Sequence, residues 1–401
     1  MAVVTCVEDL RVLHQRRVPR MFYDYAEAGS WTESTYRRNE EAFAKLTLRQ
    51  RVAVNIAHRN IGASLLGQNW RMPVGIAPTG LAGMQHADGE ILTARAAERF
   101  GVPYILSTMS ICSLEDVAAH TRDPFWFQLY VMKDRGFIER LIERAKRAGC
   151  SALVLTLDLQ ILGQRHKDQK NQLSTPPRLT LPNLLNMATK PGWCRGMLGT
   201  SRRSFGNIVG HADGVDSLTT LSAWSAEQLD PTLSWDDVAW VKELWGGKLI
   251  LKGIMDPRDA CHAMDAGADA LIVSNHGGRQ LDGAPATIEV LPEILAALSA
   301  HNCDGPRPEV WLDGGIRTGQ DVFRAIACGA QAVFLGKAIL NGLGAMGEAG
   351  VARCLEIIAQ ELDLTMAFCG HTDINQVDSS VLWTSVEHHS EAQHVRAASN
   401  R

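Results

Sequence analysis

The chain has no cationic excess: 40 lysines and arginines face 44 acids, a formal net charge of −4. That balance argues against a general nucleic-acid binder, which carries a basic face or tail. No apolar run reaches the roughly 18–20 residues of a membrane-spanning helix. The first nine residues, Met-Ala-Val-Val-Thr-Cys-Val-Glu-Asp, place acids where a signal peptide needs a basic stretch and an apolar core, so no secretory leader is expected. The nine cysteines are odd in number and include no Cys-x-x-Cys pair. A disulfide frame or zinc site is therefore not expected, and reduced, mostly buried thiols in a cytoplasmic protein are. With 46% hydrophobic and 21% charged residues, the composition is that of a folded chain rather than a disordered one.

What is present begins with two helical patterns. Thr5 to Glu8 reads as a capping box, in which both side chains satisfy free backbone N–H groups. Pro19 opens a second helix through Tyr25, with Gly29 as its stop. Eight short apolar or β-branched runs follow: Met72–Pro78, Tyr104–Ser107, Phe125–Tyr130, Ala152–Asp158, Lys248–Ile254, Ala270–His276, Val310–Gly315 and Ala332–Gly336. Near-continuous apolar runs of this kind are expected of parallel strands covered on both faces. Helical patterns such as Glu90–Phe100, Asp134–Ala148, Pro257–Ala266 and Gly319–Ala327 lie between them. The fold class predicted is α/β, a (β/α)8 barrel with N-terminal helices. A doubly wound sheet also alternates. The count of eight favours the barrel, as do the polar or glycine residues at the strand C-termini, which a barrel gathers on one face. One such domain is expected over residues 1–386, with a disordered tail at 387–401.

One connection is far too long for an ordinary loop. Between Asp158 and Lys248, the helical pattern Trp235–Trp245 explains only the last part, leaving an insertion of about 159–232 after the fourth strand. From Gln169 to Ala212 there is no acid at all. Lys170, Arg178, Lys190, Arg195, Arg202 and Arg203 alternate there with Leu181, Leu184, Leu185, Met187, Trp193, Met197, Leu198 and Phe205. Basic and apolar residues without acids suit a segment lying on an anionic membrane surface. A basic active-site lid has the same composition.

The strand ends carry the candidate chemistry. Ser274-Asn-His276-Gly-Gly-Arg279 ends a buried strand with a base, two glycines and a fixed cation. His is the natural general base near neutral pH, and Arg holds a carboxylate with two parallel bonds. Asp158, ending the fourth strand, could orient that base as a triad acid does. Lys252 lies inside an apolar strand, where burying it unpaired is costly. It needs an anion or an electron-rich ring, and a Schiff-base lysine is the alternative. Asp313-Gly314-Gly315-Ile-Arg317 and Gly336-Lys337 end the last two strands, where barrels commonly bind phosphate. Gln128, Tyr130, Thr156 and Arg165 also stand at or near strand ends and admit a purely structural reading. Tyr25 reads as core packing in a short helix.

The sequence resembles the FMN-dependent (S)-2-hydroxy-acid dehydrogenase/oxidase family from about Val7 to Gly370. The likeness rests on Phe22-Tyr-Asp-Tyr25, Ala77-Pro-Thr-Gly80, Leu106-Ser107, Trp126-Phe-Gln-Leu-Tyr130, Leu155-Thr-Leu-Asp158, Lys252-Gly253, Ser274 to Asp282, Asp313 to Arg317 and Leu335-Gly336. Within the family it is most similar to the bacterial respiratory L-lactate dehydrogenases, through Ser107 to Cys112, Arg135-Gly-Phe137, Arg144 to Cys150 and the insertion. The resemblance implies His276 as catalytic base supported by Asp158. It implies Arg165, Arg279 and Tyr25 on the substrate carboxylate, and Tyr130 near the reacting oxygen. Lys252 would sit beside the flavin, which Pro78, Thr79, Gly80, Ser107, Gln128, Thr156 and Ser274 would line. Asp313, Gly314, Gly315, Arg317, Gly336 and Lys337 would hold the ribityl chain and phosphate.

The activity so implied is oxidation of an (S)-2-hydroxy acid, L-lactate to pyruvate, with FMN as cofactor and no metal. Electrons would pass to quinone or another acceptor at the cytoplasmic membrane face, and the assembly would be a tetramer. The chain departs from the family at three places: Met109 for a Trp, Lys337 for an Arg, and Gly80 where several oxidases have Ala. The competing readings are a soluble oxidase that makes hydrogen peroxide, a mandelate-type dehydrogenase, a non-redox phosphate-binding barrel lyase, and a non-catalytic flavin module.

Overall fold

The computed structural model describes residues 3–173, 180–212, 215, 228–303 and 305–383. Arg178 and the tail expected at 387–401 lie outside the described residues. A small antiparallel hairpin, β1 (Ala63–Leu65) and β2 (Gln68–Trp70), precedes eight parallel strands. These are β3 (Val74–Ile76), β4 (Ile105–Ser107), β5 (Trp126–Leu129), β6 (Ala152–Thr156), β7 (Lys248–Ile254), β8 (Ala270–Val273), β9 (Glu309–Asp313) and β10 (Ala332–Leu335). Their spatial order is β3-β10-β9-β8-β7-β6-β5-β4, and a parallel bridge between Ile76 and Tyr104 joins the two ends into a barrel. All eight expected strands are present. Several stop one to three residues early, because the polar residues at their C-terminal ends leave the sheet to face the barrel mouth.

The barrel floor is filled. Trp126 of β5 and Trp311 of β9 stack with ring centroids 5.5 Å apart, and Phe334 of β10 packs on both. Trp70 of the hairpin stands edge-on to Trp126 at 6.4 Å. Gly75 makes room for this plug, since a Cβ there would lie 2.3 Å from the Phe334 ring. Removing either buried indole would cost about 3–5 kcal/mol. With its interior packed at that end, the barrel is open only at the strand C-termini.

The lead-in has three helices rather than two: Val7–Arg17, Arg20–Glu27 and Ser34–Lys45. The expected capping box falls one residue later. Asp9, not Glu8, accepts the N–H groups of Thr5 and Cys6 at 2.8 and 3.3 Å. Glu8 instead pairs with Arg11. The third helix presses on the mouth, where a Cβ at Gly315 would lie 2.2 Å from the Asn39 carbonyl and one at Gly278 would lie 2.5 Å from Tyr36 N.

The insertion carries short helices at His166–Lys170, Leu181–Ala188 and Pro191–Gly199. Its basic and apolar residues divide into two sets. Trp193 stacks on Phe22 at 5.5 Å and donates its indole N–H to the Met84 carbonyl at 2.8 Å. Met187 packs beside them, and Met197 is buried. Arg202 is a tether rather than a free charge, paired with Asp88 at 3.1 Å and Asp116 at 2.8 Å. Leu181, Leu184, Leu185 and Leu198 are exposed, together with Ile161 at the start of the insertion. Among the described residues, no helix is long and apolar enough to cross a membrane.

Candidate active site

A cavity of about 840 Å³ opens at the strand C-termini. That lies within the ordinary range for a site holding a cofactor and a small substrate. At its heart is a base and its partner. The chain leaves β8 through His276, Gly277 and Gly278, all with positive φ (57°, 62° and 72°). This tight turn is strained for a non-glycine residue and puts His276 on the cavity wall. His276 Nδ1 is 2.8 Å from Asp158 Oδ1. Burial, the largest influence, pushes the imidazole below its usual range against the pull of Asp158, and the charges of Lys252 and Arg165 add to the push. Burial would raise the Asp158 carboxyl, but the adjacent ring and Lys252 outweigh it and hold it low. At neutral pH the pair is therefore a neutral imidazole against a carboxylate. With Nδ1 engaged, Nε2 is the nitrogen left for a substrate.

Two guanidiniums share the same space. Arg279 donates through Nη1 to the carbonyls of Tyr25 (2.6 Å) and Ala28 (3.0 Å), and its guanidinium lies 4.7 Å from the Tyr25 ring centroid. Arg165 is brought in by the loop after β6. It is buried, and its guanidinium is pushed down to about 10 by burial and by the charge of Arg279. Two cations forced together in a buried space call for an anion, and Asp168 at 3.8 Å from Arg165 is a loose partner. Tyr130 also lines the cavity, its hydroxyl kept protonated chiefly by burial.

On the floor, Lys252 Nζ donates to Ser274 Oγ at 2.7 Å and pairs with Asp313 Oδ2 at 3.2 Å. Burial opposes its charge, but Asp313 and Asp158 prevail and the ammonium is retained. Gln128 is wholly buried behind Ser107 and Thr156, accepting from Ser107 Oγ at 3.2 Å and donating to Thr156 Oγ1 at 3.0 Å. Gln128 and Ser274, expected to line the cofactor, do not line the cavity but bond to Ser107, Thr156 and Lys252, which do.

The β9 and β10 ends form a cationic pole. Arg317 pairs with Glu40 at 2.8 Å. Lys337 Nζ donates to the Gly277 carbonyl at 2.9 Å and lies 4.7 Å from the Tyr36 ring centroid. Burial, then Arg279 and Arg317, pushes the Lys337 ammonium down to about 7. Beneath it Glu27 accepts from Tyr36 Oη and Asn341 Nδ2, both at 3.0 Å. Burial is outweighed by Arg317 and Lys337, so the Glu27 carboxyl stays ionised.

Of the other residues expected here, Tyr25, Pro78, Thr79, Gly80, Ser107, Thr156, Asp313, Gly314, Gly315 and Gly336 all line the cavity. Tyr36, Glu40, Met109, Leu162 and Phe205 line it too. Tyr36, Glu40, Leu162 and Phe205 carry no signal of a site in the sequence, because none sits at a strand end.

The site fits a long, phosphate-bearing, hydroxylated cofactor. Asp313 Oδ1 is buried with no protein partner, an acceptor suited to a ligand hydroxyl. The cavity continues from there past Gly314 and Gly315 to Arg317 and Lys337. Fold and mouth together place the chain in the class of (β/α)8 enzymes that carry such a cofactor. Residues 14–384 match the family described as FMN-dependent dehydrogenase. The chain belongs to that family and is an FMN-dependent oxidoreductase.

An L-lactate dehydrogenase of Pseudomonas syringae pv. syringae (strain B728a) is 41% identical over 389 residues, covering 96% of this chain and 100% of that one. One from Pseudomonas aeruginosa (strain LESB58) is 40% identical over 385 residues, covering 95% and 98%. The crystal structure of the monotopic membrane protein (S)-mandelate dehydrogenase superposes with a TM-score of 0.89 at 35% identity, covering 95% of this chain and 100% of that one. A mandelate oxidase structure gives 0.77 at 31%, covering 94% and 97%.

Proposed function

We propose that the protein oxidises an (S)-2-hydroxy acid, L-lactate foremost, to the 2-oxo acid. The observation that carries this reading is one cavity lined by His276, Arg165 and Arg279, with Asp158 behind the base at 2.8 Å. The L-lactate dehydrogenases at about 40% identity support lactate as the substrate.

Arg279, fixed by two carbonyls, and Arg165 bind the carboxylate, with Tyr25 beside them. That places the substrate and supplies proximity. His276, neutral at pH 7, takes a proton through Nε2, and Asp158 stabilises the imidazolium that forms. Tyr130 keeps its proton and donates toward the substrate oxygen. Bound FMN supplies the two-electron acceptor, a chemistry no side chain here provides. Lys252 contributes a buried positive charge where negative charge develops. Pro78, Thr79, Gly80, Ser107 and Thr156 would flank the cofactor ring, while Asp313, Gly314, Gly315, Arg317, Gly336 and Lys337 would hold its ribityl phosphate.

The acceptor we assign is a membrane quinone, reached from a peripheral seat on anionic lipid through the outward leucines of the insertion. Support comes from the exposed Leu181, Leu184, Leu185 and Leu198 in an acid-free stretch and from the monotopic character of the mandelate dehydrogenase. The assembly is read as a homotetramer.

Anaerobic mixing of the yellow protein with L-lactate tests the reaction. Bleaching near 450 nm is expected, and His276→Ala should keep its colour and fail to bleach. Near-normal bleaching of that variant would remove His276 as the base. Steady peroxide formation under air would move the assignment to an oxidase.

A further inference from the structure

The return limb of the insertion is fastened to the loop after β4 by a side chain that the reading above does not use. Asn207 is fully buried. Its Oδ1 accepts from Leu114 N at 2.9 Å, and its Nδ2 donates to Ser110 Oγ at 2.8 Å and to the Ser107 carbonyl at 3.4 Å. All three partners follow or end β4. Gly206 adds an N–H bond to the Ile111 carbonyl at 3.2 Å. A Cβ at Gly206 would lie 2.8 Å from both Ile111 O and Ser113 N, so the close approach requires glycine. From the other side, Arg144 donates to the Asn207 carbonyl at 3.0 Å. A surface insertion does not need a buried amide with both ends engaged merely to cover a barrel.

Two residues before Asn207 stands Phe205, which lines the reaction cavity with Met109, Ile111 and Leu229. Met109 belongs to the fastened loop: its N–H donates to Ser107 Oγ at 3.1 Å and its carbonyl accepts from Leu81 N at 3.0 Å. It also borders the substrate end. A Cβ on Gly80 would lie 3.3 Å from Met109 Cβ and 3.2 Å from Tyr25 Oη. Part of the apolar wall of the cavity that also holds Arg165 and Arg279 is therefore supplied by the insertion, close in sequence to the Asn207 tether.

We infer that Phe205 is a specificity-determining residue for the α-substituent of the substrate, and that Asn207 is the positioning residue that holds it in place. The inference rests on the cavity being a 2-hydroxy-acid site. Its physical basis is steric. Apolar walls discriminate by about tenfold or more for each methylene-sized change in fit. Truncating a phenyl ring opens space for an aryl substituent and removes nothing that touches the carboxylate, the base or the FMN phosphate.

The experiment compares kcat/KM for (S)-mandelate and L-lactate, in the FMN-loaded enzyme with an artificial acceptor, for wild type, Phe205→Ala, Phe205→Leu and Asn207→Ala. Phe205→Ala should raise the mandelate-to-lactate ratio by about tenfold or more, chiefly through KM for mandelate. Phe205→Leu should give a smaller shift of the same sign, and serves if the alanine variant does not fold. Asn207→Ala should move the ratio the same way with flavin content unchanged. An unchanged ratio in both Phe205 variants would overturn the inference. So would an Asn207→Ala enzyme that loses rate equally on both acids. Wild-type enzyme whose flavin is bleached by no 2-hydroxy acid would instead sink the underlying reading of the site.

Discussion

At the scale of single residues, Lys337 has a pH consequence. Its ammonium is pushed down to about 7 by burial and by Arg279 and Arg317. The surrounding charges are those two arginines with Glu27 and Glu40, and its Nζ is bonded to the Gly277 carbonyl. A phosphate dianion arriving beside it would favour the charged form, so cofactor binding takes up a proton. The sign follows: FMN affinity of the apoprotein should fall as pH rises through about 7 toward 9, where the free site has lost its cation. Lys337→Arg should flatten that dependence, because a guanidinium keeps its proton there. Fluorescence quenching of FMN titrated with apoprotein at several pH values checks this, and equal slopes for both proteins would refute it. Legibility at this scale followed position. His276, Asp158 and Asp313 announce themselves as polar residues closing apolar runs, Arg279 as a cation just beyond one, and Lys252 as a lone charge inside one. Glu27, Tyr36 and Glu40 sit on lead-in helices and reach the site only because those helices fold over the mouth. Sequence spacing carries no trace of that.

At the scale of elements, the insertion shows what composition conveys and what it hides. The acid-free stretch was visible in the sequence, but which of its apolar residues face outward was not. Trp193 and Met187 turn inward onto the lead-in helices, Met197 is buried, Phe205 lines the cavity, and Arg202 is consumed by Asp88 and Asp116. The outward set reduces to Leu181, Leu184, Leu185 and Leu198 on two helices joined by a short turn. Replacing these four by Gln should move the protein from the pellet to the supernatant when it is sedimented with vesicles of anionic lipid. Each leucine forfeits about 1.5–3 kcal/mol of potential burial, so the loss should be nearly complete. Flavin bleaching by L-lactate should persist, since none of the four lines the cavity. Unaltered co-sedimentation would count against the lipid surface. The same gap between pattern and placement moved the first cap from Glu8 to Asp9, because only the three-dimensional register decides which carboxylate reaches the free N–H groups.

At the scale of the whole molecule, the alternation of apolar runs and helical patterns was enough for the barrel. Eight buried parallel strands have few other ways to satisfy their edges. The hairpin β1–β2 has no sequence signal, because Ala-Ser-Leu and Gln-Asn-Trp contain no apolar run. Yet Trp70 on that hairpin helps seal the floor that Trp126, Trp311 and Phe334 fill. A sealed floor has a kinetic meaning. Acid and keto acid must both use the doorway at the other end, and an acceptor that enters the same cavity has to wait for it to clear. Turnover should then proceed by substitution, with the keto acid gone before the acceptor arrives. Double-reciprocal plots at several acceptor concentrations should be parallel rather than converging, and the 2-oxo acid should compete with the acceptor. The queue at that doorway is imposed from the opposite end of the barrel, by packed aromatic rings that leave no second way out.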